Sequence, residues 1–277
     1  MTEIEINKEI DSITMPENLR ISQMVREHRS CCENPAHKFE YYNFAFGQSP
    51  FHIPPPITEA LRASADNGNY TVADGIMDLR KAISGFNRRH FGLDIDPERI
   101  MVGPGTKQLI YLALEIISGD VIIPSPSWIG YLPQVKILKK PYHIYHLKPE
   151  HDYRIDPDGL ESFLAGLPKI QHMLILNNPH NPTGAVHTKQ ELKKIADICR
   201  NHNTLILSDE IYALTTYDIK KFTSLGNIYP EGTFITNGLS KDRSAGGYRL
   251  GSCIFPQNDT EKMKSAFKKT AAKYTRT

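Results

Sequence analysis

The sequence predicts an α/β fold built on a mostly parallel sheet. Two observations carry this. From Arg99 onward, short apolar runs alternate with amphipathic stretches of helical period, the order expected of strand–helix–strand units. Several of those runs lead into loops rich in Gly, Pro, Asn and Ser, and in such sheets ligands bind where loops leave the carboxyl ends of strands.

The elements follow in order. Residues 1–40 are polar and predict an arm with one short helix. Phe44 to Pro56 holds one glycine and four prolines, which excludes a central strand. Helices are expected over Ile57–Asp66 and Ile76–His90, with Asn67-Gly68-Asn69 as the break between them. Arg99–Val102 reads as a strand. The helix after it, about Thr106 to Ser118, sets Leu109, Leu112, Ala113 and Ile116 on one face, with Gly119 to stop it. Val121–Ile123, Tyr142–Leu147, Met173–Leu176 and Leu205–Leu207 read as strands. Between the last two, Thr188 with Glu191 three residues on forms a capping-box pattern that opens a helix over Lys189–His202. Its Leu192, Ile195, Ala196 and Cys199 recur at helical spacing. Phe234–Thr236 and Ser252–Phe255 complete the strands.

Composition narrows the class. With 277 residues, 40% of them hydrophobic, the chain is long enough for one large domain and part of a second. A net charge of +2 offers no electrostatic reason to expect nucleic acid or an anionic membrane as partner. Its four cysteines form no CxxC pair and are too sparse for a disulfide framework, which fits a reducing compartment. No apolar run reaches the length of a membrane span. Glu3, Glu5, Glu9, Asp11 and Glu17 make the first twenty residues too acidic for a signal peptide or mitochondrial presequence, so a cytoplasmic protein is expected.

Five segments carry chemistry. Gly238 to Gly251 sets Lys241 and Arg249 eight residues apart among glycines and small residues. A lysine can form a Schiff base with a carbonyl, and an arginine can grip phosphate with its planar fork. Alone, this segment is equally compatible with a solvated surface turn. Gly103-Pro104-Gly105-Thr106-Lys107-Gln108 follows a strand and opens a helix, where free N–H groups and the helix dipole favour an anion. It is not a dinucleotide fingerprint: Gln108 replaces the third glycine, and Ser125 and Pro126 stand where an acidic residue is required. A nicotinamide-dependent dehydrogenase is thereby disfavoured. Pro126 to Tyr131 presents Trp128, whose flat ring can stack on a planar heterocycle. Asn177-Asn178-Pro179-His180-Asn181-Pro182-Thr183-Gly184 and Ser208-Asp209-Glu210-Ile211-Tyr212 each follow a predicted strand.

Taken in chain order, the five segments resemble the class I/II aminotransferases, enzymes of fold type I that use pyridoxal 5'-phosphate (PLP). The resemblance runs from about Gly47 to Gly251. It implies a three-layer α/β/α large domain over 57–277, with 1–56 as an N-terminal arm and part of a small domain. It also implies that Lys241 carries the cofactor, Asp209 keeps the pyridine nitrogen protonated, and Asn181 and Tyr212 contact the 3'-oxygen. Trp128 would cover the ring, while Gly105, Thr106, Lys107, Ser240 and Arg249 would hold the phosphate. Tyr70 would reach the phosphate of a neighbouring subunit in a homodimer. Gly47 and Asn181 would meet the substrate. The activity implied is amino transfer from an L-amino acid to a 2-oxo acid. Alternatives on the same scaffold are a PLP lyase, an aminocyclopropane-carboxylate-synthase-like elimination, or an inactive homologue. Two departures stand out. Gly238 occupies a place where the family often has a phosphate-binding Ser or Thr, which implies a weaker grip or a water in the gap. The C-terminal small domain, with its arginine for the substrate α-carboxylate, is expected to be missing.

Overall fold

Strand register organises this protein. The computed structural model describes residues 10, 13–31, 44, 47–217 and 222–274, and expectations for the other positions lie outside them. The chain divides into two units, Met1–Pro50 and Phe51–Thr277. The first contains helix α1 (Glu17–Cys31), longer than the short helix expected there.

The second unit opens with α2 (Pro55–Ala63), which starts two residues before the expected Ile57. Proline is at home in a first helical turn, because the N–H it lacks would have had no partner. Helix α3 (Met77–Phe91) ends at Gly92, in the left-handed conformation with φ 62°. Then come β1 (Ile100–Gly103), α4 (Thr106–Ile116), β2 (Asp120–Ser125), α5 (Tyr131–Ile137), β3 (Tyr142–His146) and α6 (Pro157–Ala165). After these follow β4 (His172–Asn177), α7 (Lys189–Asn201), β5 (Thr204–Asp209), β6 (Thr233–Gly238), β7 (Gly251–Ile254) and α8 (Thr260–Tyr274). The capping box opens α7 as expected, with Thr188 and Glu191 bonded in both directions.

Among the described residues the seven strands form one sheet in the order β1-β7-β6-β5-β4-β2-β3. Only β7 runs antiparallel to its neighbours. It follows β6 without a crossover helix, so it must return in the opposite direction. Because β7 opposes both β1 and β6, those two run the same way. The carboxyl ends of β1, β2, β4, β5 and β6 therefore share one edge.

Alternate residues of the strands feed two cores. Met173 and Ile175 of β4 pack with Leu109, Val135 and Phe267 from α4, α5 and α8. Leu174 and Leu176 pack with Leu160, Leu192 and Ile195 from α6 and α7. This period of two, with helices on both sides, is the three-layer arrangement. Helices α5, α6 and α8 carried no expectation from sequence. α5 is seven residues long and contains a proline, while the lysines of α8 mask the spacing of Met263, Phe267 and Ala271. Helix α4 stops at Ile116, short of Ser118, as Ile117 turns to extended backbone. Among the described residues no helix is long and apolar enough to cross a membrane.

Candidate active site

Three strand ends meet at one carboxylate. Asp209 closes β5, and its register partners are Asn177 at the end of β4 and Thr236 on β6. Asp209 Oδ2 accepts a 2.7 Å bond from the Tyr131 hydroxyl, while Oδ1 accepts from Thr236 Oγ1 and from Ile211 N–H, both at 3.3 Å. Asn177 Nδ2 donates to the Asp209 backbone carbonyl at 2.9 Å, and its Oδ1 accepts the Asn181 N–H at 2.7 Å. Through that pair the Asn-Pro-Thr-Gly loop is tied to β5. Asn181 Nδ2 in turn donates to Tyr212 Oη at 3.4 Å.

The amine of Lys241 belongs to the same cluster. Its Nζ lies 5.6 Å from the centroid of the Tyr212 ring. Burial pushes the Asp209 carboxyl up, while the bonds from Tyr131, Ile211 and Thr236 and the charge of Lys241 pull it down. Burial lowers the pKa of Lys241, opposed by the charge of Asp209. A lowered pKa leaves more of the amine in its nucleophilic form. Burial raises the Tyr131 and Tyr212 phenols, and Asp209 raises both further, so each keeps its proton as a donor.

The neighbouring Glu210 has other partners. Its Oε1 accepts from Ser208 Oγ and Ser224 Oγ at 2.9 Å and from Leu225 N–H at 3.2 Å. Burial pushes it up to about 7.

An anion cradle forms at the start of α4. Gly105 is the N-cap with φ 90°, a backbone open to glycine, and no side chain caps the helix. The first-turn N–H groups of Thr106 and Lys107 therefore have no capping acceptor. Arg249, far along the chain, donates to the carbonyls of Gly246 at 2.8 Å and Pro104 at 3.4 Å. A Cβ on Gly105 would strike Arg249 Nη2, and one on Gly251 would lie 2.6 Å from Thr106 N. Both glycines are required for this approach. The Lys107 side chain is exposed.

The remaining expected residues are placed as follows. Trp128 is half-buried and packs edge-to-face on Tyr131, with centroids 5.1 Å apart. Ser240 is half-buried beside Lys241. Gly238 pairs with Gly251 across β6 and β7, and a Cβ there would lie 2.7 Å from the Leu250 carbonyl oxygen. The close strand approach explains why no Ser or Thr stands at 238. Tyr70 is 88% exposed. Gly47 belongs to the first unit.

Sequence reasoning passed over Tyr131, Asn177 and Thr236. Tyr131 and Asn177 lie inside motifs that were read, yet only register shows that Asn177 and Thr236 flank Asp209.

The profile of the family described as aminotransferase class I and II matches residues 40–276. The chain is 30% identical over 257 residues to an aspartate aminotransferase of Bacillus subtilis, covering 90% of this chain and 63% of that protein. It is 37% identical over 231 residues to aromatic-amino-acid aminotransferase 2 of Thermococcus litoralis, covering 80% and 58%. It thus spans about three-fifths of the length of these curated relatives. The solved aspartate aminotransferase of Thermus thermophilus with maleate superimposes with a TM-score of 0.86 at 26% identity, over 98% of this chain and 69% of that one. The architecture is that of fold type I, and the chain belongs to the class I and II aminotransferases.

Proposed function

We propose that this chain carries the cofactor-binding part of an aminotransferase that moves an amino group from an L-amino acid to a 2-oxo acid. In this reading, 57–277 is the large PLP domain, and 1–56 is an arm with part of a small domain. The observation that carries it is the buried Asp209, held by Tyr131 and Thr236 and electrostatically coupled to the Lys241 amine. The names of the relatives, aspartate and aromatic aminotransferases, favour transamination over elimination.

The residues fit PLP, the cofactor of this family. The uncapped helix end beside Arg249 suits a phosphate, and the carboxylate suits a pyridine nitrogen. When bound, PLP supplies an aldehyde for a lysine and a ring that takes up electron density from a substrate carbon. The protein's own groups do the rest. Gly105, Thr106, Lys107, Ser240 and Arg249 would hold the phosphate, Trp128 would cover the ring, and Asn181 and Tyr212 would contact the 3'-oxygen. Asp209 would keep a proton at the ring nitrogen by its charge. Lys241 would hold the aldehyde and would serve as the general base that moves a proton at the substrate α-carbon. Asn181 would also orient the substrate, a role that the family resemblance extends to Gly47.

The exposed Tyr70 supports a homodimer in which each copy lends this phenol to the other's phosphate. The two buried free thiols, Cys199 and Cys253, support a reducing, cytoplasmic setting.

Borohydride reduction of the PLP-treated chain, followed by peptide mapping, tests the assignment. The cofactor mass is expected on the peptide holding Lys241, and is lost in Lys241→Ala. A label on another lysine, or none, overturns it.

A further inference from the structure

We propose that Asp120, His143 and His172 form a site for one divalent transition-metal ion of the zinc class, at the sheet edge opposite the candidate active site. Register alone brings the three together. Asp120, first residue of β2, is the partner of His172, first residue of β4. His143 on β3 is the partner of Ile122, two residues beyond Asp120. Alternate residues of a strand share a face, so all three side chains stand on the same side of three adjacent strands.

One ligand atom from each residue lies within 4.8 Å of the other two. Asp120 Oδ2 and His143 Nε2 are 2.9 Å apart, and the two imidazole rings stand at 85° with centroids 6.0 Å apart.

His172 supplies the decisive detail. The residue is 2% exposed, and its Nε2 lies 2.9 Å from the carbonyl oxygen of Pro168. A carbonyl only accepts, so Nε2 carries the proton and Nδ1 is left with a bare lone pair. That Nδ1 is buried without a hydrogen-bond partner. An imidazole whose distal N–H is tied to a backbone carbonyl, with the other nitrogen free, is the usual state of a metal-ligating histidine.

The donors select the ion. Two imidazoles and one carboxylate suit zinc, cobalt, nickel or copper, whereas magnesium and calcium prefer all-oxygen shells. The side chains of Asp120 and His143 are 13% and 28% exposed, which leaves an opening for water as a fourth ligand. Lys140 is a charged neighbour of Asp120. Its amine donates a hydrogen bond to the Ile117 carbonyl. Along β2 the five residue steps from Asp120 to Ser125 span roughly 17 Å, so the ion would sit far from Asp209 and Lys241. Its role is to clip the starts of β2, β3 and β4 together, stabilising the folded chain by linkage.

The test is cobalt(II) titration of the tag-free full chain, followed in the visible range. One equivalent should produce saturable d–d bands that zinc displaces. Zinc should raise the thermal unfolding midpoint by several degrees, and magnesium should not. His143→Ala and Asp120→Asn, both at partly exposed positions, should each weaken binding at least tenfold while folding normally. His151→Ala, at a surface histidine elsewhere, should bind as the parent does. Absence of a saturable band overturns the site, as does binding unchanged in both ligand variants.

Discussion

The Tyr131 hydroxyl donates a 2.7 Å hydrogen bond to Oδ2 of Asp209, joining the first turn of α5 to the last residue of β5 across 78 positions of sequence. Tyr131 is 1% exposed, so water cannot replace the bond. Tyr131→Phe should therefore raise the Asp209 pKa beyond what burial already imposes. The carboxylate must be ionised to hold a pyridine proton, so the acidic limb of PLP binding should move to higher pH. A hydrogen bond to a charged group contributes about 1.5–3 kcal/mol, which corresponds to roughly tenfold or more in affinity. Spectroscopic PLP titrations across pH check this, and superimposable curves for the two proteins would rule it out.

Gly105→Ala tests the anion cradle. The new methyl would need φ 90° and would lie 3.0 Å from Arg249 Cζ, driving the guanidinium away from the start of α4. PLP affinity should fall at least tenfold, while affinity for pyridoxal, which lacks the phosphate, should hardly change. Equal losses for both ligands would mean that the damage is not at a phosphate site.

Glu210 makes stability depend on pH in a stated direction. Its pKa rises from an ordinary 4.5 to about 7 on folding. The folded chain thus holds a proton that the unfolded chain has lost between those values. The contribution is full below pH 4.5 and disappears as pH rises through 7, a swing of roughly 3 kcal/mol. Glu210→Gln mimics the neutral form and can keep all three bonds to Oε1. Denaturant unfolding should find it near the parent at pH 4.5 and more stable at pH 8. A parallel pH dependence in both proteins would refute the assignment.

Thr188→Ala should cost about 1 kcal/mol in urea unfolding, because Thr188 Oγ1 accepts the Glu191 N–H at 3.2 Å. Thr188→Ser should recover most of the loss. If both variants melt alike, the cap contributes nothing.

The capping box of α7 and the strands of the central sheet were legible because their signals are local. A β4 that is buried throughout reads as an unbroken apolar run, and Thr188 with Glu191 announces a helix start within four residues. The motif loops were legible for a related reason. Each sets its proposed contacts among residues adjacent in sequence, such as Lys241 beside Ser240 or Asn181 before Pro182. Helix α8 was not legible, because its burial depends on packing against α4, and its lysines give it a polar composition.

From its residues alone the chain declared an alternating α/β order, a lysine and an arginine on one loop, and an acid at a strand end. Only the folded sheet decided which groups surround that acid. Parallel pairing sets Asn177, Asp209 and Thr236 side by side, and likewise Asp120 beside His172. Hydrogen-bond register between strands is a long-range property, set by which apolar faces pack together, and no local spacing encodes it.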